Sequence, residues 1–263
     1  MDLLAAALLG VVQGLTEFLP VSSSGHLVVV PAIFGWKQPS LTFDLVLHFG
    51  TLLAVIFAFR RELWTLLLAV FGKGDDVPGS RRLIWLLFIG TIPAAIAGIA
   101  LGNFFEDRFD DPFTTCFELL GTAGILLLAE FIIRRGEGHE PIDTPRSAAI
   151  GVAQAVAILP GISRSGATIA TGLVTRVSRE EATRFSFLLA IPAIAGAVAT
   201  KVPDVIDGKF KLTGPVIAGF FAAMIVGWLS IEWLLRYVRT HSFVPFAIYL
   251  IIFSTIAALI IKL

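Results

Sequence analysis

Six long apolar segments, each ending at charged or turn residues, divide the chain. A membrane span needs about 20 mostly apolar residues to cross about 30 Å of hydrocarbon. The segments that meet or nearly meet this length are 41–59, 83–102, 113–133, 185–200, 214–235 and 243–261. A shorter apolar stretch, 63–71, is typical of a helix that lies at the membrane interface. The pattern predicts an all-α polytopic membrane protein with six transmembrane helices.

Two further apolar regions are interrupted by polar residues, at 16–26 and at 160–166. Their apolar halves are 3–15 and 27–34 in the first region, and 148–159 and 167–174 in the second. Each half is too short to cross the bilayer, and the Pro, Gly and hydroxyl residues of the breaks end one helix and cap the next. Both regions are therefore predicted to be re-entrant hairpins of two short helices, with their breaks buried in protein or facing water.

The two breaks resemble each other. Gly10–Gln13 aligns with Gly151–Gln154, and Ser22–Gly25 aligns with Ser163–Gly166. Three predicted spans follow each break, and an odd number of crossings reverses the second unit, which predicts an inverted-topology repeat. In such folds the two broken elements meet near the midplane, and the binding site lies between them. The chain is expected to be a single membrane domain, 1–263, with repeat 1 over about 1–134, a cytoplasmic linker over about 135–146 and repeat 2 over about 147–263.

Composition and charge support a membrane protein and exclude other classes. The chain is 56 % hydrophobic and 15 % charged, with a mean hydropathy of +0.87, against about 45–50 % and about 25 % in soluble proteins. Lys and Arg together balance Asp and Glu at 20 each, so no nucleic-acid partner is expected. Most Lys and Arg residues fall in loops that the hairpin topology places inside, which predicts that both termini lie outside.

The breaks suit an anionic ligand. The second helix of each hairpin would begin in its break and point backbone N–H groups into it, and helix N-termini favour anions. Arg164 adds a positive charge with donors spaced for phosphate oxygens. The sequence therefore predicts a phosphate or diphosphate site. Its expected substrate-contacting residues in the breaks are Ser22, Ser24, Gly25, Ser163, Ser165 and Gly166.

Glu17, His26 and Arg164 are the ionisable residues predicted to lie deepest in the membrane. A charged residue at the bilayer centre costs about 2.5–3.5 kcal/mol on insertion scales, and such residues usually have a function. Ser23 or a neighbouring serine offers a nucleophile, His26 a base or alternative nucleophile, and Glu17 a partner or metal ligand, which are the parts for phosphoryl transfer. Gln13 lies one turn before Glu17 and is expected to orient its carboxylate or contact substrate. The alternative is that Glu17 and Arg164 pair only to hold the repeats together.

His48 lies within the first predicted span, four residues after Asp44. At that spacing two side chains share one face of a helix. We therefore expect a buried hydrogen-bonded pair with a structural role, and we leave His48 outside the predicted catalytic site.

Two segments, Gln13–His26 and Pro160–Thr168, resemble the motifs of the bacitracin-resistance family of undecaprenyl-diphosphate phosphatases. Length, span order and both motifs agree, so the resemblance covers nearly the whole chain. It implies removal of the terminal phosphate from the C55 isoprenoid diphosphate at the outer face of the bacterial inner membrane, which recycles the cell-wall lipid carrier. It also implies bacitracin resistance, dependence on Mg²⁺ or Ca²⁺, and a homodimer.

By motif position, the resemblance assigns the catalytic roles to Glu17, Ser23, His26 and Arg164, with Ser22, Ser163 and Thr168 nearby. The family's first motif allows Glu or Gln at its first acidic position, and this chain has Gln13 there. Glu17 is therefore the only carboxylate of the motif and the expected metal ligand.

A transporter or flippase of a polyprenyl phosphate is the alternative function, because inverted repeats with broken helices are typical of transporters. A carrier needs only donors for the anion, whereas a hydrolase also needs a nucleophile and a group that moves a proton. The breaks contain both kinds of residue, which favours hydrolysis. Flipping of the product is compatible with it.

Overall fold

The computed structural model describes residues 2–106, 111–133, 138–159, 161–199 and 212–262, and over these ranges the chain is helical without strands. The helices are α1 (Leu3–Phe18), α2 (Ser23–Ile33), α3 (Leu41–Ala58), α4 (Arg60–Val70), α5 (Val77–Glu106), α6 (Pro112–Ile133), α7 (Thr144–Val156), α8 (Arg164–Val174), α9 (Arg179–Ala199), α10 (Gly214–Tyr237) and α11 (Val244–Lys262). Residues 135–137 of the predicted linker, and Pro160 of the second break, lie outside the described residues.

Six helices of the described chain are long and apolar enough to cross a membrane: α3, α5, α6, α9, α10 and α11. They confirm the six predicted spans, and the protein is a multi-pass membrane protein. Two of them begin six residues earlier than predicted, α5 at Val77 and α9 at Arg179. Hydropathy marks only the apolar part of a helix, whereas the hydrogen-bonded backbone continues into polar turns. The predicted interfacial segment is helix α4, which begins at Arg60.

Two pairs of short helices form the interrupted regions. Helices α1, α2, α7 and α8 contain 16, 11, 13 and 11 residues, fewer than a span needs. The first break is shorter than predicted, because α1 continues to Phe18 and α2 already begins at Ser23. The Thr16 hydroxyl donates to the Val12 carbonyl one turn earlier, so this polar side chain is satisfied within the helix and does not end it.

The same cap begins the second helix of each hairpin. The Ser22 hydroxyl accepts a hydrogen bond from the Gly25 N–H at 3.3 Å, and the Ser163 hydroxyl accepts one from the Gly166 N–H at 3.0 Å. Serine is a preferred N-cap because its oxygen satisfies an N–H that has no partner inside the helix. Ser22 has a φ of +69°, a left-handed conformation that is strained for a residue with a Cβ.

Close contact between glycines holds each hairpin against a long helix. Helix α1 packs on α10, and α7 packs on α5. A Cβ on Gly10 would lie 2.3 Å from the Gly219 carbonyl oxygen, and one on Gly151 would lie 2.5 Å from the Gly90 carbonyl oxygen. Only glycine allows backbones to approach this closely in a membrane helix pair. Each hairpin is thereby fixed against a long helix on one face, while side chains on its other face, such as Leu4 and Val152, are exposed.

The two breaks meet each other at the centre of this packing. The Ser165 hydroxyl in the first turn of α8 donates to the Leu19 carbonyl in the first break at 2.9 Å. Beside this contact Phe18 is fully buried, and its ring packs edge-on against Phe187 of α9 at 5.3 Å between centroids. The irregular backbone of the first break is therefore buried in protein, as membrane depth requires.

Candidate active site

The Glu17 carboxylate is the centre of the polar cluster between the breaks. It lies in the last turn of α1, and its side chain is only 6 % exposed. Oε2 accepts hydrogen bonds from Ser23 Oγ at 2.5 Å and from Gln13 Nε2 at 3.0 Å, while Oε1 accepts one from Arg164 Nη2 at 3.2 Å. The predicted orientation of Glu17 by Gln13 is confirmed. One carboxylate therefore brings Ser23 and Arg164 together.

Arg164 reaches Glu17 from the other hairpin, 147 positions away in the chain. It is the first residue of α8, and its guanidinium also donates to the backbone carbonyls of Glu17 and Ser186. These contacts hold the side chain, which is 14 % exposed, in a fixed place. An arginine has five N–H donors, and three hydrogen bonds leave donors for an anion.

The three serines of the first break differ in their surroundings. Ser22 is buried, whereas Ser23 and Ser24 are partly exposed. Ser24 Oγ lies 3.3 Å from Ser22 Oγ, and only Ser23 among the three contacts the Glu17 carboxylate. Because a nucleophile must be reachable and must have a base beside it, this geometry favours Ser23.

The polar residues at the start of α8 are buried, and they hydrogen-bond to other residues of the protein. Ser163, Ser165 and Thr168 are at most 1 % exposed. Thr168 Oγ1 lies 2.6 Å from Ser186 Oγ and also donates to the backbone, while Ser163 caps the helix at Gly166. These residues position Arg164 and the start of α8. Direct contact with substrate stays a prediction for them, and also for Ser22, Ser24 and Gly25.

The hydrogen-bond partners of His26 are not the side chains of the Glu17 cluster. Its Nδ1 lies 2.7 Å from the Ser22 carbonyl oxygen, and its Nε2 lies 2.8 Å from the hydroxyl of Tyr249 in α11. Phe253 stacks on the ring at 4.5 Å between centroids. Both ring nitrogens are therefore engaged, and among the described residues no hydrogen bond joins His26 to Ser23 or Arg164. A direct catalytic role for His26 stays a prediction.

His48 is the residue at this site that the sequence reasoning left out. Its Nε2 lies 3.6 Å from Glu17 Oε2, and its Nδ1 lies 2.7 Å from the backbone carbonyl oxygen of Asp44. The expected pair with Asp44 therefore forms through the backbone and leaves the other nitrogen facing the site. The available signal was an ionisable residue inside an apolar span, which usually marks a functional position.

The described residues offer a partial site for a divalent cation. They contain no cluster of three or more His, Cys, Asp or Glu side chains suited to a metal. Gln13 Oε1 is buried without a hydrogen-bond partner, and Glu17 has about one of its four acceptor positions left after three hydrogen bonds. Mg²⁺ is commonly held by one or two carboxylates together with substrate phosphates and water. The donor set fits a cation that a diphosphate helps to bind.

The cluster combines three capacities needed for phosphoryl transfer. Ser23 supplies a hydroxyl with a carboxylate base at hydrogen-bond distance. Arg164 and the first turns of α2 and α8 supply positive potential for a phosphoryl group. Over the described part of the chain, the N–H groups of Ser23 and Ser24 have no acceptor, so both are available to an anion.

Comparison with known proteins agrees with this chemistry. The family described as bacitracin resistance protein BacA matches residues 6–256. The undecaprenyl-diphosphatase of Elusimicrobium minutum is 41 % identical over 251 residues, 95 % of each chain. Those of Moorella thermoacetica and Rubrobacter xylanophilus are each 40 % identical, over 97 % and 100 % of both chains. The chain therefore belongs to the bacitracin resistance protein BacA family.

Proposed function

We propose that the protein hydrolyses undecaprenyl diphosphate to undecaprenyl phosphate and inorganic phosphate. The names of its relatives and of its family support this substrate. The observation that carries the proposal is a serine hydroxyl 2.5 Å from one oxygen of the Glu17 carboxylate, with Arg164 on the other oxygen. The reaction recycles the cell-wall lipid carrier and confers resistance to bacitracin by removing its lipid target.

The first chemical step transfers the terminal phosphoryl group to Ser23. Ser23 Oγ attacks the terminal phosphorus, the bond from phosphorus to the bridging oxygen breaks, and the Ser23 proton passes to Glu17 Oε2. Glu17 then gives that proton to the departing prenyl phosphate. Arg164 and the helix N-termini stabilise the charge that spreads over the phosphoryl oxygens.

The second step releases phosphate. Water attacks the phosphorus of the phosphoserine, its proton passes to Glu17, and the bond between Ser23 Oγ and phosphorus breaks. The proton on Glu17 returns to Ser23 Oγ, which restores the resting site. Glu17 acts in both steps as a general base and then as a general acid.

The Glu17 carboxylate and the side-chain amide oxygen of Gln13, Oε1, would hold a Mg²⁺ or Ca²⁺ ion together with the substrate. When bound, the ion would neutralise diphosphate charge and polarise the phosphoryl oxygens. The hydrogen bonds that Gln13 and Ser23 donate to Oε2 keep the Glu17 carboxylate in its orientation.

We also infer an inverted repeat with the site at its centre. Each hairpin packs its first helix on the second span of the other half, α1 on α10 and α7 on α5, and α3 packs on α9. The matching serine caps of α2 and α8 and the paired glycine contacts support the same symmetry. With three spans after each hairpin, the second half is inverted in the membrane.

The orientation follows from the same inference, and the homodimer is the assembly that the family resemblance implies. With both hairpins re-entrant, the excess of Lys and Arg lies on the cytoplasmic side, so both termini lie outside and the protein spans the bacterial inner membrane. We infer that the site opens to the outer face, where the family's lipid diphosphate is released, and that the protein is a homodimer. Cysteine labelling of intact cells at the N-terminus and cross-linking in membranes test these two points.

Transport of a polyprenyl phosphate is less well supported than hydrolysis. Arg164 and the helix N-termini would serve a carrier equally well, but a serine hydroxyl bonded to a buried carboxylate is needed only for bond cleavage. Product flipping in reconstituted vesicles, measured with and without Ser23→Ala, separates the two activities.

A phosphate-release assay on purified protein tests the proposal. In detergent with Mg²⁺ or Ca²⁺, we expect wild-type protein to release phosphate from a long-chain prenyl diphosphate, and Ser23→Ala and Glu17→Gln to lose at least about 100-fold in rate. Ser230→Ala, which removes a hydroxyl bonded within its own helix, is the matched control. No release by the wild type, or an unchanged rate in Ser23→Ala, contradicts the proposal. A trapped phosphate mapped to His26 would make His26 the nucleophile.

A further inference from the structure

We propose that Tyr249 is a positioning residue of this site, acting through His26 to fix the turn that carries Ser23; this inference rests on the proposed function. Tyr249 lies in α11, 223 positions along the chain from His26, and its hydroxyl is 2.8 Å from His26 Nε2. Tyr249 lies outside both motifs that resemble the family, and only the packing of α11 on α2 brings it to the first hairpin.

The hydrogen bonds of His26 determine where its proton sits. The Ser22 carbonyl oxygen can only accept, so Nδ1, at 2.7 Å from it, must carry a proton. In a neutral imidazole the other nitrogen is then an acceptor, and Tyr249 donates its hydroxyl proton to Nε2. A phenylalanine at position 249 would leave that nitrogen without a donor in a ring that is only 2 % exposed.

Stacking fixes the plane of the same ring. The His26 ring lies within 8° of parallel to the Tyr249 ring and within 13° of parallel to the Phe253 ring, with centroids 5.7 and 4.5 Å away. With its plane held by two rings and both nitrogens hydrogen-bonded, the imidazole has one orientation. In this orientation the His26 ring holds the Ser22 carbonyl.

The orientation of His26 matters because of the residue that it holds. Ser22 has a φ of +69°, and such strained conformations persist only where surrounding contacts enforce them. The His26 ring binds the Ser22 carbonyl, and the next residue, Ser23, places its hydroxyl 2.5 Å from Glu17. If Ser22 relaxes, Ser23 moves off the carboxylate, and displacements of about 1 Å at reacting groups can cost about 100-fold in rate.

Tyr249→Phe tests this chain of contacts by removing one oxygen and keeping the stacked ring. We expect kcat to fall about tenfold with KM changed less than about twofold, because the substrate contacts remain while the nucleophile is less well aimed. The matched control is Tyr237→Phe, the other of the chain's two tyrosines. Its hydroxyl donates to the Ser242 carbonyl in the turn after α10, and we expect no more than a twofold change in either constant.

A double-mutant cycle separates positioning through His26 from a general packing effect. If Tyr249 acts only through His26, Tyr249→Phe will change the rate less than about twofold in a His26→Ala background. Independent, multiplicative effects of the two substitutions would overturn the proposal, as would a kcat of Tyr249→Phe equal to that of the wild type.

A spectroscopic measurement keeps this inference separate from the phosphatase assignment. The chain has four histidines, so ¹⁵N NMR of histidine-labelled protein in detergent resolves each ring. We expect His26 to carry its proton on Nδ1, and Tyr249→Phe to shift the His26 Nε2 signal while those of His139 and His241 stay in place. A proton on Nε2, or an unchanged His26 spectrum in Tyr249→Phe, overturns the inference whether or not the protein releases phosphate.

Discussion

Replacing Arg164 with alanine affects two properties of the site, which can be measured apart. The guanidinium donates to Glu17 Oε1 at 3.2 Å, to the Glu17 carbonyl at 3.4 Å and to the Ser186 carbonyl at 3.2 Å. Arg164→Ala therefore removes the positive charge that we propose to face the phosphoryl group. It also leaves the Glu17 carboxylate, 6 % exposed, without its arginine partner, and of the basic groups in the described chain only His48 Nε2, at 3.6 Å, lies beside it.

The two effects have different expected sizes. Removing one preorganised charge-stabilising group typically lowers kcat by about 10²–10³-fold, or about 2.7–4 kcal/mol in transition-state free energy. Breaking a buried ion pair by removing one partner typically costs about 3–5 kcal/mol in the free energy of unfolding. We expect both losses in Arg164→Ala. Arg164→Lys should retain part of the stability because it keeps the positive charge, but not all of it, since lysine lacks the planar guanidinium with its several N–H donors.

The assay combines phosphate release with the free energy of unfolding. Rates come from purified protein with a prenyl diphosphate, and unfolding from the fluorescence of the five tryptophans during SDS titration. Glu17→Gln removes the charge that Arg164→Ala leaves unpaired. The double variant should therefore recover about 2 kcal/mol of the lost stability, but it should recover no rate.

Two results would refute this reasoning. If Arg164→Ala folds normally and releases phosphate at a rate near that of the wild type, Arg164 does not stabilise the transition state. If Glu17→Gln restores both stability and rate in the Arg164→Ala background, the ion pair only holds the two hairpins together, and the site uses other groups for catalysis.

Three further predictions concern packing and the cation. Glu130 is buried and accepts hydrogen bonds from Arg179 at 2.9 Å and from a backbone N–H in the turn before α11 at 2.7 Å. Glu130→Ala should therefore lower the free energy of unfolding by about 3–5 kcal/mol in SDS titration, and an unchanged midpoint would contradict this. Gly151→Leu should lower the melting temperature, because the new side chain would collide with the Gly90 carbonyl oxygen. The control Gly124→Ala should leave the melting temperature unchanged, since the space around Gly124 is open. Equal melting temperatures for the two variants would argue against the contact. Chelation with EDTA should abolish phosphate release and added Mg²⁺ or Ca²⁺ should restore it, while full activity after exhaustive chelation would exclude a required cation.

The membrane-spanning helices were predictable because hydropathy is a property of the segment itself. About 20 apolar residues make a span whatever their neighbours are, and apart from the end residues Phe59 and Phe243 all six predicted segments are helical over their described residues. Helix ends were less predictable. The first break was placed from residue 16, yet α1 continues to Phe18, because Thr16 and Glu17 find hydrogen-bond partners one turn earlier in the helix.

Much of the site was predictable for the same local reason. Gln13 and Glu17 are four residues apart, so any helix through them places both side chains on one face. Ser22 and Ser163 each precede a glycine by three residues, which is the spacing of an N-cap and the N–H that it satisfies. Glu17 and Arg164 were recognisable because placing a charged residue inside a membrane costs free energy, so that charges within apolar segments usually have a function.

The directions of the two histidines depended on helices far along the chain. His26 was expected beside the catalytic serine, but α11 supplies a hydroxyl and two aromatic rings that turn it toward Tyr249. His48 was expected to serve only a structural pair, but the packing of α3 beside α1 brings its Nε2 to within 3.6 Å of Glu17.

Local composition and spacing were thus enough to establish the membrane class, the six spans, the two interrupted hairpins and their charged residues. Which of those residues touch was a matter of how the helices pack. The Glu17 carboxylate meets Arg164 across 147 positions of chain, because the glycine faces of α1 and α7 press both hairpins into the bundle. Helical periodicity relates residues within a few turns, whereas the partner of a buried side chain is chosen by shape and hydrogen bonding between distant elements.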